Sequence, residues 1–128
     1  MRILLDTCTY LWMLQDSPSL SSTARELLVR PGIEVYLSAV SLWEVLVKHG
    51  LGGLALTEPP EAFLRSTITR YNLTPLALDN ESVWQLTRLP KHHRDPFDRM
   101  LVCQAIAKGL TIVTPDEQIH RYPVVTIW

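Results

Sequence analysis

Asp6, Glu44, Asp98 and Asp116 stand in one kind of context. Each lies where an apolar strand-like or turn segment passes into a helix-like one, or in the first turns of that helix. Asp6 closes the run Arg2-Ile3-Leu4-Leu5-Asp6 at the start of the chain. In an open α/β sheet, such junctions fall on one edge and line the crevice where ligands bind. Four carboxylates meeting there repel one another unless a cation joins them. The pattern therefore points to a metal site. Oxygen donors without a Cys–His cluster suit a hard cation, Mg²⁺ or Mn²⁺, better than structural zinc.

Each acid also has an ordinary reading. Asp6 is a good N-cap for the helix that follows it. Ser41-Leu42-Trp43-Glu44 matches a capping box, but Ser38, directly after the strand, is the better cap. Glu44 then falls in the second turn, where Lys48 is its i+4 ion-pair partner. Asp95-Pro96-Phe97-Asp98 reads as an N-cap, a proline at the first helical position and an acid near the positive helix end. Thr114-Pro115-Asp116 repeats that arrangement. Capping explains any one of the four; it explains less well why all four fall at strand-to-helix junctions of one sheet.

The elements alternate. A strand spans Arg2 to Leu5 and a helix Thr7 to Gln15, with Tyr10, Leu11 and Leu14 at helical spacing. Ser21-Ser22 caps a helix to about Arg30, which Pro31-Gly32 ends. A strand from Glu34 to Leu37 leads to a helix from about Ala39 to His49, and Gly52-Gly53 makes a loop. Pro59-Pro60 opens a helix to about Tyr71, followed by a short strand from Leu73 to Ala77. Asp79 caps a short helix to about Arg88, and Lys91 to Arg94 is a basic loop. Pro96 to Lys108 is a strong helix ended by Gly109. A strand from Leu110 to Val113, a helical turn from Pro115 to about Arg121 and a strand from Val124 to Ile127 complete the chain. This alternation predicts a mainly parallel sheet with helices on both faces. No repeat or low-complexity segment interrupts it, and residues 1–128 read as one domain.

Length and composition set the limits. A chain of 128 residues, 47% apolar, can bury a real core. No apolar run approaches the roughly 18 residues needed to cross a bilayer, and Asp6 breaks the N-terminal run too early for a signal peptide. No membrane association and a cytoplasmic location are the expectation. Cys8 and Cys103 fit it as small buried residues rather than a disulfide framework. Net charge is −1, but without the four acids 12 basic residues face 9 acidic ones. A basic body around an acidic hole suits a phosphodiester substrate. Lys91, Arg94 and Arg99, with His92 and His93 between them, are candidates for its backbone; a solvated loop is the alternative. Trp12, Trp43, Trp84 and Phe97 lie in helices among apolar residues, and core packing is expected for most. Trp12 with Leu11 is also a candidate protein contact.

Several segments, in order, resemble one family. They are Leu4-Leu5-Asp6-Thr7, Ser38-Ala39-Val40-Ser41-Leu42-Trp43-Glu44, and His93-Arg94-Asp95-Pro96-Phe97-Asp98-Arg99-Met100-Leu101. Thr114-Pro115-Asp116 and the closing Val125-Thr126-Ile127-Trp128 complete the set. The chain resembles PIN-domain ribonucleases, and among them VapC-type toxins of toxin–antitoxin pairs. The resemblance covers essentially the whole chain and implies a three-layer α/β/α PIN-like domain with a central, mainly parallel sheet. It implies that Asp6, Glu44, Asp98 and Asp116 hold Mg²⁺ or Mn²⁺ and carry the hydrolysis of RNA. Asp95 either assists or only caps. Thr7 and Thr114 match hydroxyl positions near the metal site, and Cys8 departs from the His expected there. A cognate antitoxin is the implied partner, and a homodimer is expected because two-fold pairing is the commonest oligomer. Two other classes fit part of the pattern. One is a non-catalytic acidic domain that binds metal or protein. The other is a phosphomonoesterase, which usually needs a second Asp two residues after the first, where this chain has Cys8.

Overall fold

Ile3, Leu4 and Leu5 have no exposed surface. A run apolar on both sides belongs in the middle of a parallel sheet, and the computed structural model, which describes all 128 residues, places it there. Strand β1 (Arg2–Leu5) pairs in parallel with β2 (Glu34–Ser38) on one side and β4 (Thr111–Val113) on the other. Strands β3 (Thr74–Leu76) and β5 (Thr126–Ile127) form the edges, giving the order β3-β2-β1-β4-β5, parallel throughout.

Successive side chains of β1 feed opposite layers, as strand geometry requires. Ile3 and Leu5 join a core with Tyr10, Leu27, Leu37 and Leu64. Leu4 joins the other, with Val40, Leu101, Val102 and Ile112. Helices α1 (Thr7–Gln15), α2 (Ser22–Val29) and α4 (Pro60–Arg70) contribute to the first layer. Helices α6 (Pro96–Lys108) and α7 (Glu117–His120) contribute to the second. Helix α3 (Ala39–Gly50) adds Val45 to one layer and Val40 to the other. The expected three-layer α/β/α arrangement is therefore present. Leu4→Ala is expected to cost about 2–5 kcal/mol through lost transfer energy and a cavity, measurable as a lower midpoint in urea.

Several boundaries are tighter than the sequence suggests. The segment after Asp79 is α5 (Asn80–Gln85) followed by a 3₁₀ turn, Leu86–Arg88. Helix α7 begins at Glu117, not at Pro115, because Asp116 itself is the cap, in extended conformation with its carboxylate on the Gln118 N–H. Thr114 is not that helix's cap; its hydroxyl accepts from the Asp116 N–H. Helix α6 follows a helix and a loop, so Asp98 does not lie at a strand-to-helix junction.

Two tryptophans also depart from the expected core role: Trp43 and Trp84 are 57% and 62% exposed. Trp43 lies edge-on to Phe97, with ring centroids 4.7 Å apart. Trp12 packs against Trp128. Cys103 is buried as expected, while Cys8 is only partly so.

Candidate functional site

The strand order changes direction at β1. The connections after β1 and β2 run one way, and those from β4 the other, so a crevice opens beyond the carboxyl ends of β1 and β4. Asp6 leaves β1 at that point. One of its oxygens accepts from the Thr9 N–H at 2.9 Å, capping α1, and the other accepts from the Thr114 hydroxyl at 2.5 Å. The capping role and the place in the crevice coexist. Asp6 is 2% exposed, and burial pushes its pKa up against the hydrogen bonds from Thr114 and Thr9. The Cys8 thiol lies 3.4 Å from the same carboxylate.

Glu44 arrives on α3, which Ser38 caps through the Val40 N–H. The Thr7 hydroxyl donates to Ser41 Oγ at 3.0 Å, tying α1 to α3. Glu44 is 3% exposed. Its Oε2 meets Lys48 Nζ at 2.7 Å, while its Oε1 is buried without a hydrogen-bond partner. That hydrogen bond pushes the Lys48 pKa up, so the ammonium is retained.

Asp95 caps α6 through the Phe97 N–H at 2.8 Å, and Pro96 takes the first helical position. Asp98, in the first turn, points into the crevice. Burial first, then the negative charges of Asp95, Asp6 and Glu44, push its pKa up to about 7. Asp116 is the opposite case. Burial works to raise its pKa, but hydrogen bonds from His93 and from the Gln118 and Ile119 backbone outweigh it and leave the value lowered.

One pocket is thus lined by Asp6, Thr7, Glu44, Asp95, Asp98 and Asp116, with Cys8, Leu11 and Lys48 at its wall. The structure brings all four principal acids and Asp95 together, and Thr114 supports Asp6 at its edge. Lys91, Arg94 and Arg99 do not enter the pocket. They line a neighbouring groove with His92 and His93 and no apolar side chain. Arg99 is partly engaged there, donating to the Pro90 carbonyl at 2.9 Å and the Tyr122 hydroxyl at 3.3 Å.

Two residues matter more in space than in sequence. His93 Nε2 lies 2.8 Å from Asp116 and 3.2 Å from Asp98. The i+4 spacing from Glu44 announces Lys48, but not that its ammonium faces a nest of acids. Nothing periodic announces the reach from His93 to Asp116.

Fold and pocket together define a parallel α/β domain with an acidic site at the switch of its strand order. The family model of the PIN domain matches residues 3–125, and the chain belongs to that family. No curated protein matches it in sequence. Solved structures share the fold at low identity. A chain of VapBC2 from Rickettsia felis, bound to a DNA fragment from its promoter, is 17% identical, with a TM-score of 0.76 and coverage of 100% of this chain and 99% of that one. A chain of DNA-bound VapBC from Salmonella typhimurium is 20% identical, with a TM-score of 0.72 and coverage of 99% and 97%. A chain of FitAcB from Neisseria gonorrhoeae is 19% identical, with a TM-score of 0.66 and coverage of 100% and 97%.

Proposed function

We propose that residues 1–128 act as a divalent-metal-dependent endoribonuclease, the toxin half of a toxin–antitoxin pair. One observation carries the reading. Carboxylates from four separate elements converge on a pocket whose wall holds a single ammonium, Lys48, and one buried oxygen, Glu44 Oε1, has no partner. A buried acceptor left unpaired costs about 1–3 kcal/mol. A carboxyl whose pKa is pushed up to about 7, by burial first and then by neighbouring acids, is a second unmet demand for positive charge. The donors are hard oxygens, so the residues fit Mg²⁺ or Mn²⁺. Asp6, Glu44, Asp98 and Asp116 would hold the ion. Once bound, it supplies the positive charge that acidifies a water and offsets charge building on a phosphodiester.

The chain's own residues do the rest. Thr9 and Thr114 fix both oxygens of Asp6, so that ligand needs little reorganisation. Lys91 and Arg94, in the adjacent groove, bind the phosphate backbone, and Arg99 holds the loop in place. RNA as the substrate rests on the resemblance to VapC-type ribonucleases. Soluble, cytoplasmic action is consistent with this substrate, and no helix is long and apolar enough to cross a membrane.

An antitoxin is proposed because the similar structures include VapBC complexes. An apolar groove lined by Leu11, Leu14, Leu54, Leu56 and Phe63 suits an amphipathic helix, and Leu11 is shared with the acidic pocket. An Arg carried by the antitoxin could then oppose the metal at the carboxylates. Trp12, packed on Trp128, does not line that groove. A homodimer is proposed through the exposed Trp43, Leu46 and Val47 of α3.

The test compares cleavage of single-stranded RNA with hydrolysis of a chromogenic phosphate monoester, each with Mg²⁺, Mn²⁺ or EDTA. RNA cleavage that EDTA abolishes is expected; monoester hydrolysis alone would favour the phosphatase. Growth arrest on expression of the chain, relieved by co-expressing the neighbouring small reading frame, tests the toxin role. Asp95→Ala should cost about 1 kcal/mol through the lost cap and leave most cleavage in place. Loss of cleavage there with full activity in Asp98→Ala would exchange their roles.

A further inference from the structure

His93 belongs to two surfaces at once. Its backbone is part of the basic loop, where the Tyr122 hydroxyl accepts the N–H of both His92, at 3.0 Å, and His93, at 2.8 Å. Its side chain, 15% exposed, reaches Asp98 and Asp116, two of the acids that line the pocket. The atoms His93 Nε2, Asp98 Oδ and Asp116 Oδ all lie within 4.8 Å of one another, a spacing that three ligands of one ion also show.

The other ring nitrogen decides between ligand and hydrogen-bond donor. His93 Nδ1 lies 3.0 Å from the Asp95 backbone nitrogen, which can only donate. Nδ1 therefore accepts, and its lone pair is used. In a neutral ring the single proton is then on Nε2. An Nε2–H has no lone pair for a metal. It does have a proton to share between Asp116 at 2.8 Å and Asp98 at 3.2 Å. A histidine that ligates through Nε2 usually donates from Nδ1 to an acceptor; here that nitrogen faces a donor. The cap residue Asp95 so fixes the tautomer of a side chain only two positions before it.

We propose that His93 is a positioning residue, not a metal ligand: its Nε2–H clamps Asp98 and Asp116 together across 18 residues of sequence and couples the basic loop to the acidic pocket. This rests on the metal-site reading above. Without the clamp, two like charges are free to swing apart, and the loop loses its tie to two of the pocket's acids. Outer hydrogen-bond partners of ligands are typically worth 10–100-fold in metal affinity.

The test uses the whole protein without RNA. Nitrogen-15 correlation spectra of His93 are recorded before and after saturation with Mg²⁺, and Mn²⁺ affinity is measured for the parent, His93→Ala and His93→Gln. A protonated Nε2 and an unprotonated Nδ1, unchanged by Mg²⁺, are expected. His93→Ala should bind Mn²⁺ about 10–100-fold more weakly. His93→Gln, whose amide N–H can reach the same carboxylates, should recover most of that loss. Loss of the Nε2 proton on metal addition, or equal weakness of the Gln and Ala variants, overturns the proposal. If the Asp98→Asn control binds Mn²⁺ as the parent does, the metal reading itself has failed, whatever His93 does.

Discussion

Asp98→Asn is expected to abolish cleavage while making the metal-free protein more stable above neutral pH. The activity loss should reach at least about 10²-fold, the scale of removing one group that stabilises transition-state charge. The stability gain follows from proton linkage. Folding raises the Asp98 pKa from the ordinary 3.8 to about 7, mainly by burial and then by the charges of Asp95, Asp6 and Glu44. The folded state therefore holds this proton more tightly than the unfolded one. Stability is greatest below about pH 4, falls as pH rises towards 7, and is flat above. Asp6, also raised by burial, acts in the same sense. Asp116, whose pKa is lowered, contributes in the opposite sense, but its contribution is lost only as pH falls below the ordinary carboxylate value. Removing the Asp98 charge should recover on the order of 2 kcal/mol at pH 8. Urea midpoints in EDTA from pH 5 to pH 8 check this, with a parallel series in Mg²⁺, where the slope should shrink. A parent protein equally stable at pH 5 and pH 8 without metal would contradict the argument.

Lys48→Met should destabilise the metal-free protein by about 1–3 kcal/mol, and saturating Mg²⁺ or Mn²⁺ should recover most of that loss. Lys48 Nζ is bonded to Glu44 Oε2 at 2.7 Å, and the Glu44 side chain is only 4% exposed. Breaking a buried pair from one side leaves a charge uncompensated, which costs more than the pair contributes. Lys48 itself is half exposed, so the effect lies below the full value for a buried pair. Glu44→Gln, with Lys48 intact, should cost less, because a half-exposed ammonium can turn to water. Thermal melts of the parent and both variants, with and without metal, separate the cases. An identical Tm loss with and without the ion would mean that Lys48 contributes only its packed alkyl chain.

The sequence was most informative where one residue has one local role. Helix α6 begins and ends at Pro96 and Lys108 as read, because Asp95, Pro96 and Gly109 are local signals that need no tertiary context. Asp6, Glu44 and Asp116 were legible as a set because each follows the carboxyl end of a parallel strand, and those ends share one edge of the sheet; Asp98 follows a loop and reaches that edge on α6. The individual roles of the acids were not legible. Asp6 both caps α1 and accepts from Thr114, and only the pairing of β1 with β4 brings those residues together. Asp116 turned out to be the cap, where the repeated cap-proline-acid pattern had suggested Thr114. Trp43 and Trp84 looked like core residues because helical periodicity reports an apolar face but not what covers it. The reach of His93 across to Asp116 has no signature in spacing at all.

The Thr114–Asp6 hydrogen bond joins residues 108 apart, and Asp116 lies beyond it. During synthesis, Asp6 is made well before Thr114 and Asp116. β4 cannot pair with β1 until the intervening helices have emerged. A nascent or prematurely terminated chain ending before β4 thus carries Asp6, Glu44 and Asp98 but not the fourth acid. The acidic pocket is therefore complete only after β4 has paired with β1, and a fragment that stops short of β4 lacks both Asp116 and the hydroxyl that holds Asp6.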